Sequence, residues 1–179
     1  MKKLVDITMT LIFFPVLLVI YPLILIIIYI SDGFPGLYKQ QRVGKNGKSF
    51  LLYKFRTMDA LSSDDVHQEH YEKLSEKETI EPSLTPSKPI RIENDDRITN
   101  IGNFLRKTSL DELPNLINVL RGEMSIVGPR PLVQYESNLY GDYQKIRNTV
   151  KPGITGLAQI QGRLDLSSTR KTLLGFRIC

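Results

Sequence analysis

One cysteine, two histidines and no tryptophan occur among 179 residues. The lone thiol, Cys179, excludes a disulfide framework and suits a reducing cytoplasm. The two histidines, His67 and His70, stand with Glu69 and Glu72 in an acidic stretch poor in apolar residues. In such a segment this spacing reads as solvated surface rather than as a metal centre. Gly47-Lys48-Ser49 ends like a phosphate-binding loop, but Arg42 stands where that motif requires its first glycine, which excludes it. No small-residue cleavage site follows the long apolar run near the start, which argues against a cleaved signal peptide. No internal repeat is present, and a mean hydropathy of −0.15 leaves everything outside that run mostly polar.

What is present begins with the run itself, Leu11 to Ile30, twenty residues interrupted by Pro15 and Pro22. At about 1.5 Å per residue it is long enough to cross a bilayer. Lys2 and Lys3 precede it, and Lys39, Arg42, Lys45 and Lys48 follow it. Positive charge marks the cytoplasmic side, so basic flanks at both ends favour a helix that dips into one leaflet and returns, broken near Pro22. Proline frees a backbone carbonyl that lipid cannot satisfy, which favours the same bend. A single span is the rival arrangement.

Charge is unevenly distributed beyond the run. Residues 1–58 carry eight Lys/Arg against two acids, residues 59–96 four against eleven, and residues 97–179 twelve against six. Two basic blocks flank an acidic insert. A basic surface beside a bilayer anchor suits anionic head groups or a phosphorylated substrate, and no nucleic-acid partner is expected.

The expected class is α+β, mostly helical: a re-entrant membrane helix (1–34), then one small cytoplasmic-face domain (35–58 and 97–163). The acidic insert (59–96) interrupts that domain, and an atypical tail (164–179) follows it. Leu37 to Val43 and Ser49 to Thr57 read as a hairpin around Gly44-Lys45-Asn46-Gly47, because Asn-Gly supplies positive φ angles. Ile98, Ile101, Phe104 and Leu105 recur at helical spacing, as do Leu113, Leu116, Ile117 and Leu120, ending near Gly122. Tyr135, Leu139, Tyr143 and Ile146 predict a further amphipathic helix, and Lys151-Pro152-Gly153-Ile154-Thr155-Gly156 a rigid turn.

The sharpest chemical candidate is Asp111-Glu112. A capping box with Ser109 as N-cap would place Pro114 five positions into the helix, where it disrupts the first turn. Asp111 as N-cap moves that proline to a tolerated position and puts both carboxylates at the positive end of the helix. Adjacent carboxylates with Arg106 and Lys107 upstream suit Mg²⁺ together with a substrate phosphate, and a carboxylate can itself attack phosphorus. Arg130, fixed between Pro129 and Pro131, has the rigid backbone of a bidentate phosphate clamp. Lys151 and Arg163 are weaker versions of that idea.

These residues carry a resemblance. Lys54-Phe55-Arg56-Thr57-Met58, Arg106 through Pro114, Gly122 through Pro131 and Lys151 through Gly156 resemble the bacterial sugar transferases called monotopic phosphoglycosyl transferases. The similarity extends from residue 1 to about residue 163, the insert excepted. It implies a re-entrant helix in the bacterial inner membrane with the catalytic domain on the cytoplasmic face. It also implies transfer of a sugar 1-phosphate from a nucleotide sugar, commonly a UDP-sugar, to polyprenyl phosphate, beginning a lipid-linked surface glycan such as capsule or exopolysaccharide. By motif, Asp111 would be the nucleophile, Glu112 its partner in placing Mg²⁺, and Arg106 and Arg130 the phosphate-binding cations. Two departures stand out. The family's break is a Ser-Pro pair, whereas here Tyr21 precedes Pro22 and Pro15 is additional. The family's Leu-Asp…Tyr pattern is also missing after Arg163. The altered tail motivates an alternative, a catalytically silent membrane-anchored homologue. An aspartyl-phosphate phosphatase is a third reading.

Overall fold

The computed structural model describes residues 2–59, 95–138 and 142–160. His67, His70, Arg163, most of the acidic insert and the tail therefore lie outside the described residues. The architecture is the α+β, mostly helical one expected, with one long apolar N-terminal helix, a small hairpin and several short helices.

Helix α1 (Lys2–Asp32) runs for 31 residues, about 46 Å at helical rise, through both Pro15 and Pro22. The helix does not break at either proline, where the sequence predicts an interruption. By length and composition α1 is apolar enough to cross a membrane. Its burial is confined to its two ends: Asp6 and Thr10 near the start, Ile24 and Ile28 near the finish. Between them Leu11, Ile12, Phe13, Val16, Leu18, Val19 and Leu23 are exposed.

Strands β1 (Leu37–Val43) and β2 (Ser49–Phe55) form the hairpin. A 3-10 turn (Lys45–Gly47) joins them, with Asn46 and Gly47 at φ 57° and 74°. This is the left-handed conformation that Asn-Gly was expected to supply. Helix α2 (Asn100–Thr108) starts on a Thr99 N-cap whose Oγ1 accepts from the Gly102 N–H at 2.9 Å. A 3-10 turn (Leu110–Glu112) and helix α3 (Asn115–Leu120) follow. Then come β3 (Ser125–Val127), α4 (Gln134–Asn138), α5 (Asp142–Arg147), β4 (Gly153–Thr155) and α6 (Leu157–Ile160). The single amphipathic helix expected around Tyr135–Ile146 is thus two short ones, and the rigid turn at Gly153 is a short strand paired with β3.

The described residues fall into two compact units, residues 2–40, 51–59 and 95–125, and residues 41–50, 126–138 and 142–160. In the first, Ile24 and Ile28 of α1 pack with Phe55 and Leu105, and Tyr21, Ile101, Leu110 and Leu113 close around them. The Tyr21 and Phe55 rings lie 4.9 Å apart. Gly102 lets α2 press on the preceding chain, because a Cβ there would collide with the Thr57 carbonyl. The C-terminus of α1 is held by polar groups of the same unit. Arg56 Nη2 donates to the carbonyls of Asp32 and Gly33 at 2.6 and 2.7 Å, a cation where the helix dipole favours one. Thr99 Oγ1 also donates to Asp32 Oδ2 at 2.8 Å. In the second unit, Gly128 and Gly153 approach so closely that a Cβ on Gly128 would lie 2.5 Å from the Lys151 carbonyl oxygen.

Candidate active site

The dyad sits in a tight bend between two helices, which corrects the register expected from sequence. Asp111 is not the N-cap of a long helix. Helix α2 ends at Ser109, which adopts a left-handed conformation (φ 58°, ψ 16°), and Leu110–Glu112 form one 3-10 turn. The next helix begins only at Asn115, with Pro114 as its N-cap. The proline therefore stands outside the regular hydrogen bonding that it would have broken. Leu110 and Leu113 turn into the apolar cluster on either side of the dyad. The sequence Leu-Asp-Glu-Leu is thereby pinned by its outer residues while the inner two carry charge.

Asp111 and Glu112 are both 8% exposed, and both meet one ammonium. Lys54 Nζ lies 3.1 Å from Glu112 Oε1 and 3.5 Å from Asp111 Oδ2. Lys54 belongs to the recognised Lys54–Met58 motif, but the sequence assigned it no role. Its signal was a positional one. Phe50 and Leu52 are buried at alternate positions of β2, and Lys54 is next in that series, a charge on the inward face of a strand. Arg106, one of the expected phosphate cations, lies in the same unit and donates from Nε to Thr57 Oγ1 at 2.8 Å.

The register between β2 and the dyad is set by Asn118, which has no exposed surface. Its amide accepts from Tyr53 N at 3.3 Å and donates to Leu51 O at 2.7 Å, as a neighbouring strand would. The same nitrogen also donates to Glu123 Oε2 at 2.7 Å. Six residues after Glu112, Asn118 grips the strand immediately before Lys54.

Arg130 and Lys151 belong to the second unit. The Arg130 side chain is exposed, whereas its backbone is held along its whole length. Four consecutive carbonyls each accept a hydrogen bond. Pro129 O takes one from Gly153 N at 2.9 Å, Arg130 O from Arg147 Nη2 at 2.6 Å, Pro131 O from Arg42 Nη1 at 3.2 Å and Leu132 O from Val43 N at 2.8 Å. Arg42 is itself paired with Glu136 at 3.6 Å, and Glu136 accepts from Val133 N. The prolines predicted a rigid loop, but sequence reasoning missed Arg42 and Arg147. Lys151 is half-buried, with its carbonyl against Gly128.

Among the described residues no group of three or more metal-ligating side chains occurs. Two adjacent carboxylates converging on one cation nevertheless fit Mg²⁺, which takes one or two carboxylates and completes its shell with phosphate oxygens and water.

The family model described as bacterial sugar transferase matches residues 1–176. This chain belongs to the bacterial sugar transferase family. It is 44% identical over 155 residues to an undecaprenyl-phosphate galactose phosphotransferase of Salmonella typhimurium, covering 84% of this chain and 31% of the relative. It is 42% identical over 148 residues to the exopolysaccharide production protein ExoY of Rhizobium meliloti, covering 83% and 63%. Against the UDP-glucose:undecaprenyl-phosphate glucose-1-phosphate transferase of Escherichia coli it is 41% identical over 155 residues, covering 82% and 28%. The sugar transferase chain thus spans about a third of the longer relatives and less than two thirds of ExoY.

Proposed function

We propose that this sugar transferase moves a sugar 1-phosphate from a nucleotide sugar, a UDP-sugar, to polyprenyl phosphate at the cytoplasmic face of the membrane, starting a lipid-linked surface glycan. The observation that carries the reading is the buried Asp111-Glu112 pair bridged by Lys54. The names of the Salmonella and Escherichia relatives, which specify undecaprenyl phosphate, support the lipid acceptor.

The chemistry has two displacements at one phosphorus. A carboxylate oxygen of Asp111 attacks the β-phosphorus of the donor. The bond from that phosphorus to the bridging oxygen breaks, and the nucleoside monophosphate leaves with that oxygen. A phosphate oxygen of the polyprenyl acceptor then attacks the same phosphorus, the acyl-phosphate bond breaks and the Asp111 carboxylate is restored. Lys54 holds both carboxylates in place, so little reorganisation precedes attack. Glu112, together with Asp111, would hold the Mg²⁺, and it helps to place the incoming lipid phosphate. Arg106, Arg130 and Lys151 supply positive charge for the substrate phosphates. When bound by the two carboxylates, Mg²⁺ would neutralise diphosphate charge.

The membrane arrangement is a re-entrant α1, and the ends of the helix support it. Asp6 is held by Ser125, and Asp32 by Thr99 and Arg56, all within one unit. A straight span would put those ends on opposite sides of a hydrocarbon core about 30 Å thick. The stretch between Thr99 and Ser125 would then have to cross lipid carrying Arg106, Lys107, Asp111, Glu112, Arg121 and Glu123.

The test is intact-protein mass measurement after incubation with a UDP-sugar and Mg²⁺ in the absence of acceptor. A sugar-phosphate adduct should form on the native chain and be absent from Asp111→Asn, which should retain its fold and lose uridine monophosphate release. Normal transfer by Asp111→Asn would reduce the dyad to a structural turn.

A further inference from the structure

Asp6 is the only acidic residue before Asp32, at the start of a helix that is otherwise almost wholly apolar. It is 7% exposed, and both of its carboxylate oxygens accept from the Ser125 hydroxyl, at 3.0 and 2.9 Å. Ser125 is 1% exposed. One turn along α1, Thr10, also 1% exposed, donates its hydroxyl to the Asp6 carbonyl at 2.8 Å. Helix backbone, carboxylate and serine form one dry polar node joining positions 119 residues apart in sequence. The reaction proposed above uses none of the three.

The two ends of α1 are held unequally. The C-terminal end has an apolar contact through Ile24 and Ile28, the Arg56 cap and the Thr99 bond. The N-terminal end is buried only at Asp6 and Thr10, and exposed apolar residues follow. An apolar segment of this length can either return or cross, so the tie at its start decides between the two.

We propose that the Asp6–Ser125 contact is a topological latch, keeping the first turn of α1 on the catalytic unit's side of the membrane and so selecting the re-entrant over the spanning form. The inference rests on the re-entrant reading above. A charge-assisted hydrogen bond shielded from water is strong enough to bias such an equilibrium about tenfold to a hundredfold. Leucine at position 6 would remove the tie and lengthen the apolar run together, both in favour of crossing.

The test uses the full chain in its native membrane, with Cys179→Ser and a single reporter, Lys3→Cys or Lys45→Cys, labelled by an impermeant maleimide. With Asp6 present, both reporters should react in inside-out vesicles and stay protected in right-side-out ones. Asp6→Leu should raise outside labelling at position 3 at least tenfold while leaving position 45 protected. Ser125→Ala, which removes only a hydroxyl and is the milder change for the fold, should shift position 3 the same way. The exchanged pair, Asp6→Ser with Ser125→Asp, should restore one-sided labelling. One-sided labelling in both single variants overturns the latch, as does a shift that the exchange leaves in place. Outside labelling of position 3 in the parent would instead refute the re-entrant reading itself, so the two failures are distinguishable.

Discussion

Lys54→Met removes one charge from the centre of the dyad and keeps most of the side chain's length and apolar stem. The ammonium lies 3.1 Å from Glu112 and 3.5 Å from Asp111, and the three side chains are 19%, 10% and 11% exposed. Unit charges about 4 Å apart near a protein surface attract by about 4 kcal/mol before desolvation is subtracted. Hydrogen bonds to charged groups retain about 1.5–3 kcal/mol net. Without Lys54, the two neighbouring carboxylates repel each other unrelieved by its ammonium, and Asp111 loses its fixed attack position. Turnover should therefore fall about 30- to 100-fold, equivalent to about 2–2.7 kcal/mol. Affinity for Mg²⁺ should move the other way. Ammonium and metal compete for the same oxygens, and losing Lys54 makes the dyad's surroundings one charge more negative. The Mg²⁺ concentration giving half-maximal activity should drop. The assay is uridine monophosphate release from a UDP-sugar, titrated with Mg²⁺ for the native chain, Lys54→Met and Lys54→Arg, the last keeping much of the activity. A Lys54→Met enzyme with native turnover and an unchanged Mg²⁺ curve would refute the reasoning and leave the contact a bystander.

Other outcomes follow from the same geometry. Arg130→Lys should lower kcat/KM more than tenfold with an unchanged circular dichroism spectrum, since a point charge does not replace a planar fork; native kinetics would make Arg130 ordinary surface. Asn118→Ala strands the Leu51 carbonyl and Tyr53 N–H that the amide satisfies, and should cost about 2–3 kcal/mol in denaturant unfolding. Gly102→Ala, whose methyl would strike the Thr57 backbone, should cost about 1–3 kcal/mol by the same measurement. Replacing Pro15 and Pro22 together with alanine, which restores two backbone donors and removes two rings from within α1, should favour the spanning form and expose position 3 to outside labelling, with loss of activity.

The hairpin was legible because Asn46-Gly47 carries its own turn instruction, and α2 because its apolar residues recur at helical spacing. The dyad was legible as chemistry but not as conformation. Nothing in Ser109 announces the left-handed angle that ends α2 early, since serine has no special preference for positive φ. Three-residue strands such as β3 and β4 are too short for any periodicity and depend on the close approach of Gly128 and Gly153. Phe104 fitted the apolar spacing of α2 but is 57% exposed, because spacing marks a face without saying how much of it is covered. The polar ties of Asp6, Asn118 and Arg147 join segments distant in sequence or read their partner's backbone, and local patterns carry neither kind of information.

The four anchored carbonyls around Arg130 also bear on the entropy of binding. A loop that stiffens only when its ligand arrives loses about 1–2 kcal/mol for every residue ordered. Here the backbone loses that freedom when the chain folds, so only the arginine's own rotamers remain to be fixed, at about 2 kcal/mol. An anion meeting Arg130 therefore encounters a preset origin with a swinging tip. Its dissociation constant should depend weakly on temperature-driven loop motion and strongly on the length and planarity of that one side chain.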